Sequence, residues 1–354
     1  MAVRIERSSL LDRLLLLIDG QSARPDPPAL TPYRARLYRL ILLLAAAYNL
    51  AFGVWAGFWP RSFFNLFQLR QPDYPAIWAC LGMVEGVYGL AYAYAAVRLD
   101  MARPLVALGL LGKILGPIGW VLTVQSGEWP LRTFSLIAFN DLVWWLPFGL
   151  FLLEGTRLGE RVRATAPYAC AALHGVAAVA LLVALRPGTE VVVDAAERAR
   201  YIAQNPLLWR GGWLVWMAAA LSLLGFYAWW GARLDRPRWA LAALVLAMVG
   251  LACDFWGESV YVAWLPAHMA LQRQASLVTG LGANGLYTAA GITLTLATPS
   301  LRGWGRAWTW VIWLSGAALS AASMAGFAPG MAAAGGALMA LLTPWFVWMG
   351  RKLA

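Results

Sequence analysis

The chain is 354 residues long, 61% hydrophobic and only 13% charged, whereas a soluble domain carries roughly 25% charged residues. That balance excludes a water-soluble globule. The net charge of +11 does not imply nucleic acid, because the arginines fall in short loops beside apolar runs and read as topology signals. The composition predicts an all-α, polytopic transmembrane helix bundle whose first partner is the lipid bilayer.

Residues 1–36 begin with a short apolar patch, Leu10 to Ile18, broken by Asp12 and Arg13, and continue into a Pro-rich stretch over 24–28. Too short and too charged for a span or a signal peptide, this segment is expected to form a cytoplasmic amphipathic helix and linker. Apolar runs long enough to cross follow near 37–58, 75–97, 104–124, 133–153, 167–186, 211–231, 239–264, 275–297, 307–327 and 331–350, about ten spans. Arginines gather before the first run (Arg34, Arg36, Arg39) and in every second loop (Arg98 and Arg103; Arg157, Arg161 and Arg163; Arg233, Arg236 and Arg238; Arg302 and Arg306; Arg351). This asymmetry places both termini on the cytoplasmic side of a cell membrane, expected to be a bacterial inner membrane. Many of the 21 tryptophans, among them Trp59, Trp230, Trp304 and Trp345, lie near the ends of runs and are expected at headgroup level.

The long outer loop, 187–210, carries Glu190, Asp194, Glu197, Arg198 and Arg200 before Asn205 and Pro206. It reads as a surface amphipathic helix between a first membrane half, 37–186 (spans 1–5), and a second, 211–354 (spans 6–10). Sliding the chain against itself gives an echo at an offset of 173: Cys80 falls on Cys253, Glu85 on Glu258 and Tyr88 on Tyr261. An odd number of spans separates the copies, so the echo predicts two inverted five-span halves, an arrangement common in carriers.

Few ionisable side chains lie at membrane depth: Glu85, Lys113, Asp141, His174, Asp254 and Glu258. Each is costly in hydrocarbon and marks either a function or an internal partner. Glu85, Lys113 and Asp141 come from three consecutive antiparallel spans and sit roughly 13 to 17 Å from their helix ends at 1.5 Å per residue. They are expected to form an intramembrane charge cluster with Lys113 in ion-pair contact with Glu85 or Asp141. The plain alternative is a structural cluster that fixes which helices meet. Gly82 and Gly86 on the second span, and Gly109, Gly112, Gly116 and Gly119 along one side of the third, favour close packing around it. Pro117 lacks an N–H and frees a carbonyl at the same depth.

In the seventh span Asp254, Glu258 and Tyr261, at i, i+4 and i+7, share one stripe. Two carboxylates one turn apart repel when both are charged, so one is expected to hold a proton at neutral pH. Asn284 and Tyr287 of the eighth span fall at similar depth. These five residues are the titratable or ligand-binding candidates; the structural alternative is a neutral, hydrogen-bonded acid joining two helices. No catalytic residue is assigned. Cys80, Cys170 and Cys253 have no CxxC spacing, His174 and His268 are separated in depth, and no Glu-x-x-His pair is present. No metal and no cofactor are therefore expected. Walker, dinucleotide and Gly-x-Ser-x-Gly motifs are missing from the sequence.

Residues 37–153 resemble the DoxX-like group of small four-helix bacterial membrane proteins. The likeness lies in a first span ending at Gly57 to Pro60, the segment Gly82 to Leu90 (GMVEGVYGL), and the four-span spacing through Asn140 to Trp145 (NDLVWW). Members of that group are associated with redox and quinone-linked membrane complexes or have no assigned activity, so the resemblance only draws attention to Glu85. Lys113 and the long C-terminal extension depart from the group's pattern.

Three functional readings follow. The first is a carrier-type protein for a small molecule or lipid, with Glu85, Asp141, Asp254 and Glu258 titrating and Lys113 as counter-ion. A membrane-embedded enzyme on an apolar substrate such as a terpenoid, sterol or quinone is the second, with a protonated Asp254 or Glu258 as general acid and Trp256, Trp264 or Tyr261 facing a carbocation. The third is a structural or assembly subunit with an oligomer or complex partner.

Overall fold

The computed structural model describes residues 30–353; the amphipathic helix expected before the first span lies outside them. Ten long helices follow in chain order: α1 Pro32–Phe58, α2 Pro75–Val97, α3 Ala102–Gln125, α4 Leu131–Leu152, α5 Ala166–Gly188, α6 Pro206–Gly231, α7 Pro237–Ala263, α8 over 272–297, α9 Gly303–Ala325 and α10 Ala328–Lys352. They occupy the ten apolar runs, and no strand occurs among the described residues. Eight of them, all but α8 and α9, are long and apolar enough to cross a membrane. The chain is thus an all-α, multi-pass membrane protein.

Proline sets several starts. Pro32, Pro75, Pro167, Pro206, Pro237 and Pro329 stand at or next to the first position of their helices, where the missing N–H costs nothing and the fixed φ suits a helix. α9 stops at Gly326, which takes the left-handed conformation (φ 67°) that allows the tight turn into α10. Three helices are interrupted by one π turn each: 138–142 in α4, 181–185 in α5 and 278–283 in α8.

α1 to α4 pack as a four-helix bundle. Its tightest crossing joins α1 and α2, where a Cβ on Gly53 would lie 2.7 Å from both the Gly82 carbonyl oxygen and the Gly86 Cα. Only glycine lets the two backbones touch there. On α3 the expected glycine side divides: Gly109 packs on Tyr92 and Gly116 on the Asp141 carboxylate, whereas Gly112 and Gly119 face open space.

The other six helices close a ring in the order α5, α6, α7, α8, α9, α10 and back to α5. The helices therefore do not pack as the five-plus-five division drawn at 187–210: α5, read from its position as the end of a first half, lies between α6 and α10 and completes the ring. Sequence order hides this because the closing contact joins segments more than 150 residues apart. α7 also carries Leu251, Phe255 and Val262 on its outer side against Phe134 and Ala138 of α4, which ties the bundle to the ring.

Near the arginine-rich end, Phe226, Trp230, Trp345 and Phe346 form a fully buried aromatic floor within the ring. Trp59 and Trp304 are exposed, at 60% and 76%, but Trp230 and Trp345 are at 0%, so these two are core residues and not headgroup anchors. Each indole N–H donates to a threonine hydroxyl: Trp230 to Thr298 (2.9 Å), Trp345 to Thr309 (2.9 Å) and, one layer deeper, Trp313 to Thr295 (2.8 Å). The same end is tied by a charged network in which Arg34 contacts Glu154 and Glu160 (2.7 Å each) and Arg163 reaches both acids. The Arg34 hydrogen bond holds the Glu160 carboxyl below its ordinary value.

Candidate functional site

Two groups of intramembrane charges were expected, and the fold puts them in different surroundings. Lys113 and Asp141 are buried, at 4% and 2% exposure, between α3 and α4, with Glu85 of α2 half-buried beside them. Among the described residues Lys113 forms an ion pair with neither acid, which corrects the expected direct contact. Its ammonium donates instead to the backbone carbonyl of Asn140. The reason is local: Asn140 lies in the π turn over 138–142, where the widened backbone presents a carbonyl that a regular helix would keep to itself. The three charges still act on one another at longer range. Pro117 frees the carbonyl four residues before it, that of Lys113, and the Trp145 indole donates to it at 2.8 Å. Asp141 accepts from the Asn140 amide at 3.1 Å. Each charged group here has a local partner or a nearby opposite charge, and the Asn140 side-chain oxygen alone is buried without a partner.

The second group lines a cavity of about 510 Å³ inside the six-helix ring. Asp254, Glu258, Tyr261, Asn284 and Tyr287 all contribute to its wall. Its wall extends from Arg186, Thr189 and Glu190 near one end of the ring down to Tyr227, Trp313 and Leu342 above the aromatic floor. That is a depth of roughly 20 Å at 1.5 Å per helical residue. The space comes from what α10 lacks: its first turns read Met331-Ala-Ala-Ala-Gly-Gly336, and Ala332, Gly335 and Gly336 line the cavity without filling it.

α7 presents the acids at different depths, with Glu258 about one and a half turns from its end and Asp254 one turn deeper. Glu258 is 2% exposed and its Oε2 has no hydrogen-bond partner. Asp254 keeps some accessible surface because that surface is cavity wall; the Tyr287 hydroxyl lies close to it without closing a hydrogen bond. Tyr261 donates to or accepts from Ser276 at 2.9 Å and stacks on Trp213 with ring centroids 4.0 Å apart. Asn284 faces the other way in part, donating to the Gly316 carbonyl (2.6 Å) and the Ser320 hydroxyl (2.9 Å) of α9. It therefore holds α8 to α9 while bordering the cavity.

Of twelve buried side-chain atoms left without a partner among the described residues, five line this one cavity: Trp213 Nε1, Trp216 Nε1, Glu258 Oε2, Tyr287 Oη and Ser323 Oγ. Such groups cost about 1–3 kcal/mol each when nothing meets them, so their convergence marks a place that water or a ligand fills. The contrast with the floor is direct, since Trp230, Trp313 and Trp345 each have a threonine partner.

Sequence reasoning missed His174, Trp213, Trp216 and Ser323. His174 reads as an isolated histidine, yet it lines the cavity with its Nδ1 2.9 Å from the Cys170 carbonyl, which leaves Nε2 as the acceptor. Its presence at membrane depth was the one sequence signal, but nothing in the sequence joined it to the acids of α7. Two of the three π turns border the cavity, contributing Leu181, Leu182, Thr279 and Gly280. Among the described residues no three His, Cys, Asp or Glu side chains converge as a metal site would need.

No family model, curated protein or solved structure matches this chain. The functional reading accordingly rests on the cavity and its chemistry.

Proposed function

We propose that the protein is a carrier-type membrane protein that takes a small molecule into the ring cavity, with Asp254 and Glu258 as the titrating pair. The observation that carries this reading is the convergence of unpaired polar atoms and two acids on one cavity inside the six-helix ring, above the aromatic floor. A polar site near mid-membrane between helices is where carriers hold their substrates. The offset of 173 gives partial support: shifted by 173, α1 falls on 205–231 against Pro206–Gly231, α3 on 275–298 against 272–297 and α4 on 304–325 against Gly303–Ala325, whereas α2 falls on 248–270 against Pro237–Ala263 and α5 does not reach register with α10. Glu258, the unpaired acid, is the counterpart of Glu85. The asymmetry between them is informative: in the first copy Lys113 supplies a nearby positive charge, and in the second Leu286 stands at that position.

An enzyme on an apolar substrate is the second reading, favoured by one specific feature, the stacked Trp213 and Tyr261 rings beside an unpaired carboxyl, where a protonated acid could start a reaction. One experiment separates the two. Small molecules released by denaturing the protein purified from native membranes are identified by mass spectrometry, for wild type and for Gly335→Phe. Gly335 lines the cavity with its nearest neighbour 3.9 Å from a built Cβ, so a larger side chain there starts without a clash. A compound enriched on wild type, lost from Gly335→Phe and accumulated unchanged by proteoliposomes supports the carrier. Chemical conversion of that compound supports the enzyme. Identical sets from both proteins would remove the cavity as a binding site.

A further inference from the structure

We infer that the cavity's ligand is an amphiphilic organic cation, an ammonium head on an apolar body; this rests on the cavity being the ligand site. The argument begins with charge. Along the depth of the cavity stand two carboxylates and no lysine or arginine; Arg186 is exposed at the upper end of its wall, where Glu190 also contributes. His174 joins the lining from α5 beside the floor residue Phe346, with ring centroids 5.1 Å apart, and offers an acceptor nitrogen. Glu258 Oε2, on a side chain 98% withdrawn from solvent by its 2% exposure, faces no donor of the protein.

An anion would be repelled by whichever acid of the pair is ionised, and a neutral ligand would leave that acid uncompensated. A bare metal ion is a poor fit on two grounds. A hard cation takes six or more oxygen ligands, which this wall does not bring together, and a space of about 510 Å³ suits a drug-sized molecule.

The walls specify the kind of cation. Trp213, Trp216 and Tyr261 stand around the Glu258 level, and Tyr287 around the Asp254 level. Aromatic faces attract a large, weakly hydrated cation such as a substituted ammonium, most strongly when it is desolvated. Lower down, Leu223, Leu338 and Leu342 offer only hydrocarbon, which accommodates the apolar body and leaves the head at the acids. Trp213 and Trp216 also hold unpaired N–H donors, so a hydroxyl or carbonyl near the head would be met as well.

The test uses radiolabelled benzyltrimethylammonium, with the full-length protein in nanodiscs at about pH 7.5, above the ordinary carboxylate range. The competitors are neopentylbenzene, its uncharged carbon isostere, and benzenesulfonate. We expect saturable binding that neither competitor displaces, a loss of about tenfold or more in affinity for Glu258→Gln and for Asp254→Asn, and no binding to Gly335→Phe. Melting temperatures identify any variant that fails to fold, and either acid alone suffices for the comparison. Displacement by neopentylbenzene at the same concentration as by unlabelled cation, or unchanged affinity in both acid variants, would overturn the cation assignment while leaving the cavity as the site. Unchanged binding in Gly335→Phe would overturn the cavity itself, and no saturable binding to wild type would overturn the proposal.

Discussion

Replacing Lys113 by methionine tests the physical account of the first charge cluster. The side chain is 4% exposed and donates to the Asn140 carbonyl in the α4 π turn, with Asp141, 2% exposed, next along the chain. Methionine keeps the length of the stem and removes the charge. The Asn140 carbonyl then loses its charged donor, at a cost of about 1–3 kcal/mol. Asp141 also loses its nearest positive field; breaking a buried ion pair costs roughly 3–5 kcal/mol, but no direct pair is closed here, so only part of that applies. The expected destabilisation is about 3 kcal/mol. Asp141→Asn in the same background removes the uncompensated charge and should recover about 1 kcal/mol or more, giving a measurable coupling in a double-mutant cycle. Reversible unfolding in mixed micelles, followed by tryptophan emission or pulse proteolysis, measures all four proteins. A Lys113→Met variant within about 0.5 kcal/mol of wild type, or strictly additive effects, would refute the reasoning.

Other predictions follow from the packing and the ends of the bundle. Gly53→Leu forces the α1 and α2 backbones apart and should cost about 3 kcal/mol or prevent folding, whereas Gly119→Ala, facing open space, should be neutral or stabilise by up to about 1 kcal/mol; thermal unfolding distinguishes them. Glu160→Cys and Ala195→Cys, each in a background without the three native cysteines, should label with a membrane-impermeant maleimide from opposite sides, and labelling from one side would sink the proposed topology. Glu160 titrates below its ordinary value because Arg34 donates to it, so its contribution is complete above that ordinary value, about 4.5, and is lost as pH falls through the lower folded value. With its side chain 52% exposed, that contribution should stay below about 1 kcal/mol; Glu160→Gln should flatten the acid limb of stability by no more than this, and a larger effect would assign the network a greater role.

Much of the fold was legible because hydrocarbon imposes a simple rule: a chain that crosses it must be helical and apolar over about 20 residues. The prolines at helix starts and the turn at Gly326 are local signals of the same kind. Ring closure was not legible, since nothing in α5 or α10 alone says that they meet. The acids of the cavity stood out because an ionisable group at membrane depth is rare and costly. The cavity itself did not, because it is made by absence, through the alanines and glycines of Met331 to Gly336. Lys113 was read correctly as exceptional but assigned a side-chain partner, because the π turn that supplies its backbone acceptor has no recognisable sequence signature.

The central claim, that Asp254 and Glu258 form a titrating pair that governs binding in the ring cavity, is tested most directly by uptake measured against pH. Proteoliposomes of wild type and Glu258→Gln are assayed between about pH 5 and 8 with the compound released from the native protein, beside melting temperatures for both. The account predicts a pH-dependent uptake in wild type that Glu258→Gln flattens at nearly unchanged folded yield. Superimposable pH profiles, with a lower melting temperature in the variant, would show that the acids hold helices together and do not handle a ligand.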